Sequence, residues 1–368
     1  MIRIAFYAPL KPPDHEVPSG DRQVARLLFK ALQLAGYDPY IVSRLRSFDG
    51  TGDETRQRQI GRRGQEIADE LIAQWRKRPK QQPAIWFSYH LYYKAPDWIG
   101  PAVCEALDIC YVVAEASVAM KRAEGKWATG HRAVLWALSR ADKVIDLNPA
   151  DREGVLPFLR DPTRAGTMPP FLDTTPYRAA VRRPGPMRLI TVAMMRSGDK
   201  LASYRVLGGA LARLSDRAWT LEVVGGGPAR REVAAALGPL GNRVHYAGAL
   251  DEAGVAARLA DSDIFVWPAI NEAYGMALLE AQASGLAVVA GDSGGVGTIV
   301  ADRRTGLLMP PGDAVAFAAA VRQLIEDPAR CTAFGEAARR KVMKNHDLAA
   351  AGRRLGNLIG STRLRCAS

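Results

Sequence analysis

Short β-rich apolar runs alternate with amphipathic helical runs along most of this chain, and the alternation starts afresh halfway. That pattern restricts the fold more than any other feature of the sequence. In the first half, strands are expected at 2–7, 38–42, 84–88, 109–113 and 143–147. The helices between them fall near 24–34, 59–78, 97–107 and 129–140. In the second half, strands are expected at 189–193, 220–224, 244–246, 264–267, 286–290 and 306–309, with helices near 200–214, 228–237, 251–260, 275–284 and 313–326. Alternation of this kind implies parallel βαβ units with right-handed crossovers. The stretch 169–186 carries five prolines and reads as a linker. The fold class is therefore α/β, with two Rossmann-like doubly wound domains facing a central cleft. We expect domains at 1–182 and 183–345, followed by a helical tail at 346–368 that packs back on the first domain. At 368 residues the chain exceeds one typical core, which agrees with two domains.

Composition narrows the class but not the chemistry. Apolar residues at 48% and charged residues at 24% describe an ordinary globular protein. No apolar run approaches the roughly 20 residues that span a bilayer, and MIRIAFYAPL enters a strand without a secretory signal. A cytoplasmic location is expected. Cys104, Cys110, Cys331 and Cys366 have neither metal-ligand spacing nor a disulfide rhythm, and the histidines form no metal signature, so no metal site is expected. The net charge of +12 admits nucleic acid, an anionic membrane surface or phosphorylated substrates as partners. Arg56, Arg58, Arg62, Arg63, Arg76, Lys77, Arg78 and Lys80 concentrate it, without aromatic interleaving or a nucleic-acid motif. A solvated helix face accounts for them as well as a peripheral contact with an anionic membrane does.

The richest stretch is NEAYGMALLE at 271–280. Trp267-Pro268 ends a strand before it, and an apolar helix follows from Met276. Glu272 then lies on a loop at a strand's carboxyl end, and Glu280 lies inside the next helix. The amides around Gly275 face out of the helix N-terminus, where partial positive charge and spare donors suit a phosphate. Carboxylates are good acceptors for sugar hydroxyls. The combination suits a ligand with a diphosphate in its middle and polyols at both ends. VVGGGP at 223–228 is a strand entering a glycine turn. It lacks the third glycine of the dinucleotide fingerprint, since Arg230 stands there. Its central residue, Gly226, either admits close backbone approach to a ligand or serves a plain turn. Arg196 and Lys200 follow a strand and are placed to neutralise a diphosphate, or are surface charges. Gly20 in the first βα turn allows backbone approach to a phosphate or is a turn glycine. His90 follows a strand and could act as a general base or orient a hydroxyl; Glu115 and His131 sit in comparable places.

Taken together, Arg196/Lys200, VVGGGP, VHYAGAL, DSDIFVWP, NEAYGMALLEAQASGLAVVAGDSGGV and TGLLMPPGD resemble the C-terminal donor domain of glycosyltransferase family 4. These are retaining, nucleotide-sugar-dependent enzymes of GT-B fold. The resemblance runs from about 189 to 341 and is looser before that, where Pro18-Ser19-Gly20 and FSYH have family counterparts. It implies that Glu272 and Glu280 are the two glutamates of an E-x7-E motif, on donor sugar and ribose respectively. Arg196 and Lys200 match the cations on the diphosphate, Gly275 and Met276 the helix-start amides, and Gly20 the first-domain loop glycine. Three departures stand out. The Arg-to-Lys interval is one residue shorter than the commonest form, Tyr274 replaces phenylalanine, and Glu115 stands where a histidine is usual.

The expected activity is metal-independent, cofactor-free transfer of a sugar, with retention, from a nucleotide-diphosphate donor to a glycan or lipid-linked acceptor of the cell envelope. The expected site comprises Arg196, Lys200 and Glu272 for catalysis. Gly20, Gly226, Tyr274, Gly275, Met276 and Glu280 hold the donor, and His90 and Glu115 stand on the acceptor side. Rival readings are a non-catalytic nucleotide-sugar-binding subunit of a polysaccharide assembly and a GT-B epimerase. Nucleic acid is not an expected partner.

Overall fold

The structure, a computed structural model, describes residues 1–17, 19–272 and 274–366, without the side chains of 149–150 and 363–366. Pro18 of the first loop, Ala273 between the two glutamates, the Cys366 side chain and the last two residues of the tail lie outside the described residues.

The chain divides into two compact units, Met1–Pro169 with Leu348–Ser368, and Pro170–Asp347. The first runs β1 (Ile2–Tyr7), α1 (Gly20–Leu34), β2 (Tyr37–Ile41), α2 (Glu54–Lys77), β3 (Ile85–Leu91), α3 (Gly100–Leu107), β4 (Cys110–Ala116), α4 (Ala128–Arg140), β5 (Lys143–Asp146), α5 (Pro149–Val155) and β6 (Ala165–Thr167). Its sheet has the order β2-β1-β3-β4-β5-β6, and every pairing is parallel. The second runs β7 (Met187–Val192), α6 (Asp199–Ala212), β8 (Trp219–Val224), α7 (Arg230–Leu237), β9 (Val244–Gly248), α8 (Glu252–Ala260), β10 (Ile264–Trp267), α9 (Met276–Ala283), β11 (Ala287–Gly291), α10 (Val296–Ile299), β12 (Gly306–Met309), α11 (Ala314–Glu326) and α12 (Pro328–Asn345). Its parallel sheet has the order β12-β11-β10-β7-β8-β9. Helix α13 (Leu348–Cys366) belongs to the first unit.

Local chemistry explains these elements. β3 and β10 read as near-continuous apolar runs because strands of a covered parallel sheet are buried on both faces. Helix α9 is apolar on all sides and mostly buried. Asp313 caps α11 by accepting from the Val315 and Ala316 amides. Asp53 caps α2 in the same way, so that helix begins at Glu54, ahead of its expected start at 59.

Several expectations need correction. The proline-rich stretch 169–186 is not a free linker: Phe171, Leu172 and Tyr177 are buried, and the Leu172 amide donates to the His346 carbonyl. The division accordingly falls at Pro169, ahead of the expected 182. Pro228 lies in the turn before α7 and not at its first position. His131 lies within α4, buried, and not after a strand. β3 and β4 continue beyond their expected ends to take in His90 and Glu115. Both have left-handed backbones, with φ of 63° and 60°, and the ladder resumes past them at Leu91 and Ala116. Residues with a Cβ seldom adopt that conformation, so sequence patterning gives no sign of it.

Candidate functional site

In each sheet the strand order reverses direction at one place, and open α/β sheets bind ligands beyond the carboxyl ends of the strands at that switch point. In the second unit the switch lies between β7 and β10. Lys200 enters just after β7 on the first turn of α6, and Glu272 just after β10. Sequence places them 72 residues apart; the switch point brings them into an ion pair. The same Glu272 oxygen accepts from the Trp267 indole N–H at 3.1 Å, and the Lys200 ammonium sits 5.4 Å from the centre of that ring. Tyr204 packs edge-on to Trp267 at 5.1 Å and donates its hydroxyl to the Ala193 carbonyl at 3.0 Å. The Lys200 and Glu272 side chains retain only 28% and 14% exposure, which makes the pair more valuable than a surface one.

The loop carrying Glu272 is strained and tied down. Ala269 and Asn271 both have left-handed backbones, with φ of 52° and 49°. The Ile270 amide donates to Ser203 Oγ at 3.0 Å, and the Asn271 amide group donates to Asp199 at 2.9 Å. Asp199 and Ser203 lie on α6 with Lys200, so one helix positions both the cation and the carboxylate loop. Strain held in place by such ties is typical of functional sites.

A cleft of about 430 Å³ opens here, lined by Lys200, Gly226, Glu272, Gly275, Met276 and Glu280 among others. Gly275 caps α9 in the left-handed region, φ 69°, and no side chain caps the helix amides. A Cβ at Gly275 would stand 2.9 Å from Leu278 Cδ1 and 3.1 Å from Glu272 Cγ. In the glycine turn, Gly225 and Gly227 have φ of 140° and 150°. A Cβ on them would lie 2.0 Å and 2.3 Å from the Ala193 and Met195 carbonyl oxygens. Those two glycines serve backbone packing, whereas Gly226 between them meets nothing closer than 3.5 Å and faces the cleft. Burial pushes the Glu280 carboxyl up to about 7, helped by the negative charge of Glu252.

Six of the expected residues thus share one cleft. Arg196 does not line it; its side chain is exposed on the loop before α6. Tyr274 packs half-buried against the core of the second unit. Ser203 and Asp199 went unnoticed in the sequence, and Trp267 was read as closing a strand just before the glutamate loop but not as part of the site.

Gly20, His90 and Glu115 belong to the first unit, the first two at its own switch point between β1 and β3 and Glu115 on the adjacent strand β4. Gly20 is the first residue of α1 behind the Ser19 cap, and a Cβ there would meet nothing within 4 Å. Its neighbour Asp21, which sequence reasoning passed over, bonds His90 Nδ1 at 3.0 Å. Burial lowers the His90 pKa, but the Asp21 hydrogen bond and the charges of Glu115, Asp21 and Asp151 outweigh it and leave it raised. The hydrogen bond to His90 holds Asp21 below the usual carboxylate range. Burial raises Glu115, against the opposing pull of His90 and a hydrogen bond with Tyr89. Among the described residues no group of three or more His, Cys, Asp or Glu side chains is arranged to hold a metal ion. No described helix is long and apolar enough to cross a membrane.

Two doubly wound units, one with a cation, helix-start amides and two carboxylates in a switch-point cleft, define an α/β protein of the GT-B class. Residues 187–327 match the family of glycosyl transferases group 1. A GDP-mannose-dependent α-(1-6)-phosphatidylinositol monomannoside mannosyltransferase of Mycolicibacterium smegmatis is 31% identical over 218 residues, 53% of this chain and 56% of that protein. A D-inositol 3-phosphate glycosyltransferase of Streptomyces avermitilis is 40% identical over 79 residues, 22% of this chain and 17% of that protein. The chain thus spans about half or less of the length of these curated relatives. A glycosyltransferase from Rickettsia africae shares the fold at a TM-score of 0.72, with 16% identity and 98% of each chain covered. An Anabaena protein solved with UDP and glucose does so at 0.67, with 15% identity over 98% of this chain and all of that one.

Proposed function

We propose that this protein is a retaining glycosyltransferase that moves a sugar from a nucleotide-diphosphate donor to a glycan or lipid-linked acceptor, without a metal or other cofactor. The observation that carries the reading is the meeting of Lys200, Glu272, Gly226, the Gly275–Met276 amides and Glu280 in one cleft. A partly buried cation and helix-start amides suit the diphosphate, and the two carboxylates suit the hydroxyls of the donor sugar and the ribose. In transfer, the bond from the anomeric carbon to the diphosphate oxygen breaks and a bond to the acceptor oxygen forms. The acceptor proton passes to the departing diphosphate. Lys200, the α9 N-terminus and Arg196 from the loop before α6 meet the charge as it develops on that leaving group. Glu272 holds the sugar and does not itself form a bond. The Anabaena neighbour solved with UDP and glucose supports a nucleotide-sugar donor. The mannosyltransferase relative, named for a phosphatidylinositol mannoside, supports a lipid-linked acceptor.

Lys200→Ala, and Arg196→Ala with it, should lower turnover about 100-fold or more, measured as acceptor-dependent donor consumption in the presence of a chelator. Glu272→Ala should reduce turnover more than nucleoside diphosphate affinity measured by calorimetry. Near-normal turnover in both cation variants, or wild-type protein that binds donor but never consumes it, would overturn the reading.

A further inference from the structure

The first unit holds a strip of aromatic rings that the donor cleft does not use. From His90 it runs to Tyr92 at 4.9 Å, on to Tyr93 at 5.7 Å, and then to Trp127 at 5.2 Å, always between ring centres. Its rings sit where β3 ends and where the loop after β4 leads into α4, on the carboxyl side of the sheet. The two ends of the strip differ in charge. At the His90 end stand Asp21, bonded to the imidazole, and Glu115, bonded to Tyr89, with Asp151 close enough to act on both titrating groups.

At the other end two cations lie against the rings, while the nearby Asp49 carboxylate is taken up by Gln57 and the amides of Thr51, Gly52 and Asp53. The Lys94 ammonium lies 5.8 Å from the Tyr93 ring centre and 5.3 Å from that of Trp127. The Arg122 guanidinium lies 5.5 Å from the same Tyr93 ring. Two like charges sharing one ring repel each other, and among the described residues no carboxylate pairs with either. Arg122 Nε is shut off from water and has no hydrogen-bond partner. An anion arriving between these side chains offsets the repulsion and offers an acceptor to the guanidinium. The guanidinium fork matches a phosphate, and aromatic faces pack against the C–H surface of a sugar or cyclic polyol.

We infer that the acceptor is a phosphorylated sugar or polyol, its phosphate bound by Arg122 and Lys94 and its hydroxyls by the Asp21–His90–Glu115 end of the ring strip. That these residues serve an acceptor rests on the transferase reading above; that they bind such a phosphate does not.

The test is binding to the full chain, followed by tryptophan fluorescence and calorimetry. Inositol 1-phosphate and glucose 6-phosphate are compared with inositol and glucose. Each phosphate should bind saturably and at least about tenfold more tightly than its neutral parent. Arg122→Ala and Lys94→Ala should each lose about tenfold in that affinity, while nucleoside diphosphate binding is unchanged. Arg122→Lys, which keeps the charge, should lose less, and it carries the test with Lys94→Ala if Arg122→Ala unfolds. Arg62→Ala, which removes an exposed charge elsewhere, should bind as wild type. Vesicles of phosphatidylcholine with and without phosphatidylinositol separate the sources of the phosphate. Binding in solution points to a free polyol phosphate, and binding only to the phosphatidylinositol vesicles points to a lipid headgroup. The inference is overturned if neither form binds, if the neutral parents bind equally well, or if Arg62→Ala loses as much as Arg122→Ala. A chain that binds these phosphates but no nucleoside diphosphate would instead overturn the transferase reading.

Discussion

Glu280 shows how one side chain's environment becomes measurable. Its carboxyl ordinarily titrates at 4.5 and is raised to about 7 by burial. A group whose folded pKa lies above its unfolded value contributes stability that is fully present below the unfolded pKa and is lost as pH rises through the folded one. Wild-type protein should therefore lose on the order of 1–3 kcal/mol of stability from this residue between about pH 5 and pH 8. Glu280→Gln, which cannot ionise, should not lose it. Urea midpoints of the two proteins should favour the variant progressively as pH rises, and parallel curves would show that Glu280 titrates normally. The pairing of the two glutamates and their distinct surroundings follow from their spacing, because one falls on the loop and the other within α9. The ion pair of Glu272 with Lys200 does not, since nothing local to either residue announces the other.

At the scale of elements, the turn after β8 holds two glycines packed against backbone and one that faces the cleft. Gly225 and Gly227 sit where a Cβ would collide with the Ala193 and Met195 carbonyls, at backbone angles other residues avoid. Gly225→Ala should cost about 2 kcal/mol or more in stability. Gly226→Ala should be nearly neutral in a urea melt yet weaken nucleoside diphosphate binding. If all three behave alike, the cleft does not use that turn. The run of three glycines made the turn legible, but only the approach of the loop after β7 decides which glycine is free for a ligand. Most strands were legible because they are short, largely apolar runs between turn residues, whereas β6, only AGT, gave no such run; His90 and Glu115 were misplaced because their left-handed backbones depend on neighbouring strands.

For the whole molecule, the C-terminal helix is the clearest case. Leu355 and Ile359 of α13 are fully buried, and Gly352 packs closely on α1, where an added Cβ would lie 3.0 Å from the Ala31 carbonyl. Ending the chain at Asp347 removes that cover. The two side chains alone represent roughly 3–6 kcal/mol of burial, comparable with the entire stability of a domain. Hydrogen exchange on the truncated protein should show lost protection in β1 to β6 and retained protection in β7 to β12. Equal loss in both sheets would mean that the units do not fold on separate cores.

The sequence alone determined the two α/β layers, because hydrophobic periodicity and turn residues are local and each strand–helix unit declares itself within some thirty residues. It also singled out six positions that turn out to share one cleft, through motif spacing along single loops and helix starts. Tertiary structure decided what spacing cannot carry. It settled which strands flank the switch points, and so which distant side chains meet: Lys200 with Glu272, and Asp21 with His90. It left Arg196 exposed on the loop before α6, out of the cleft lining, and gathered Lys94, Arg122, Tyr93 and Trp127 into a cluster with no signature in the linear chain. Those meetings follow from strand order, which is set by crossover connections and core packing over the whole unit.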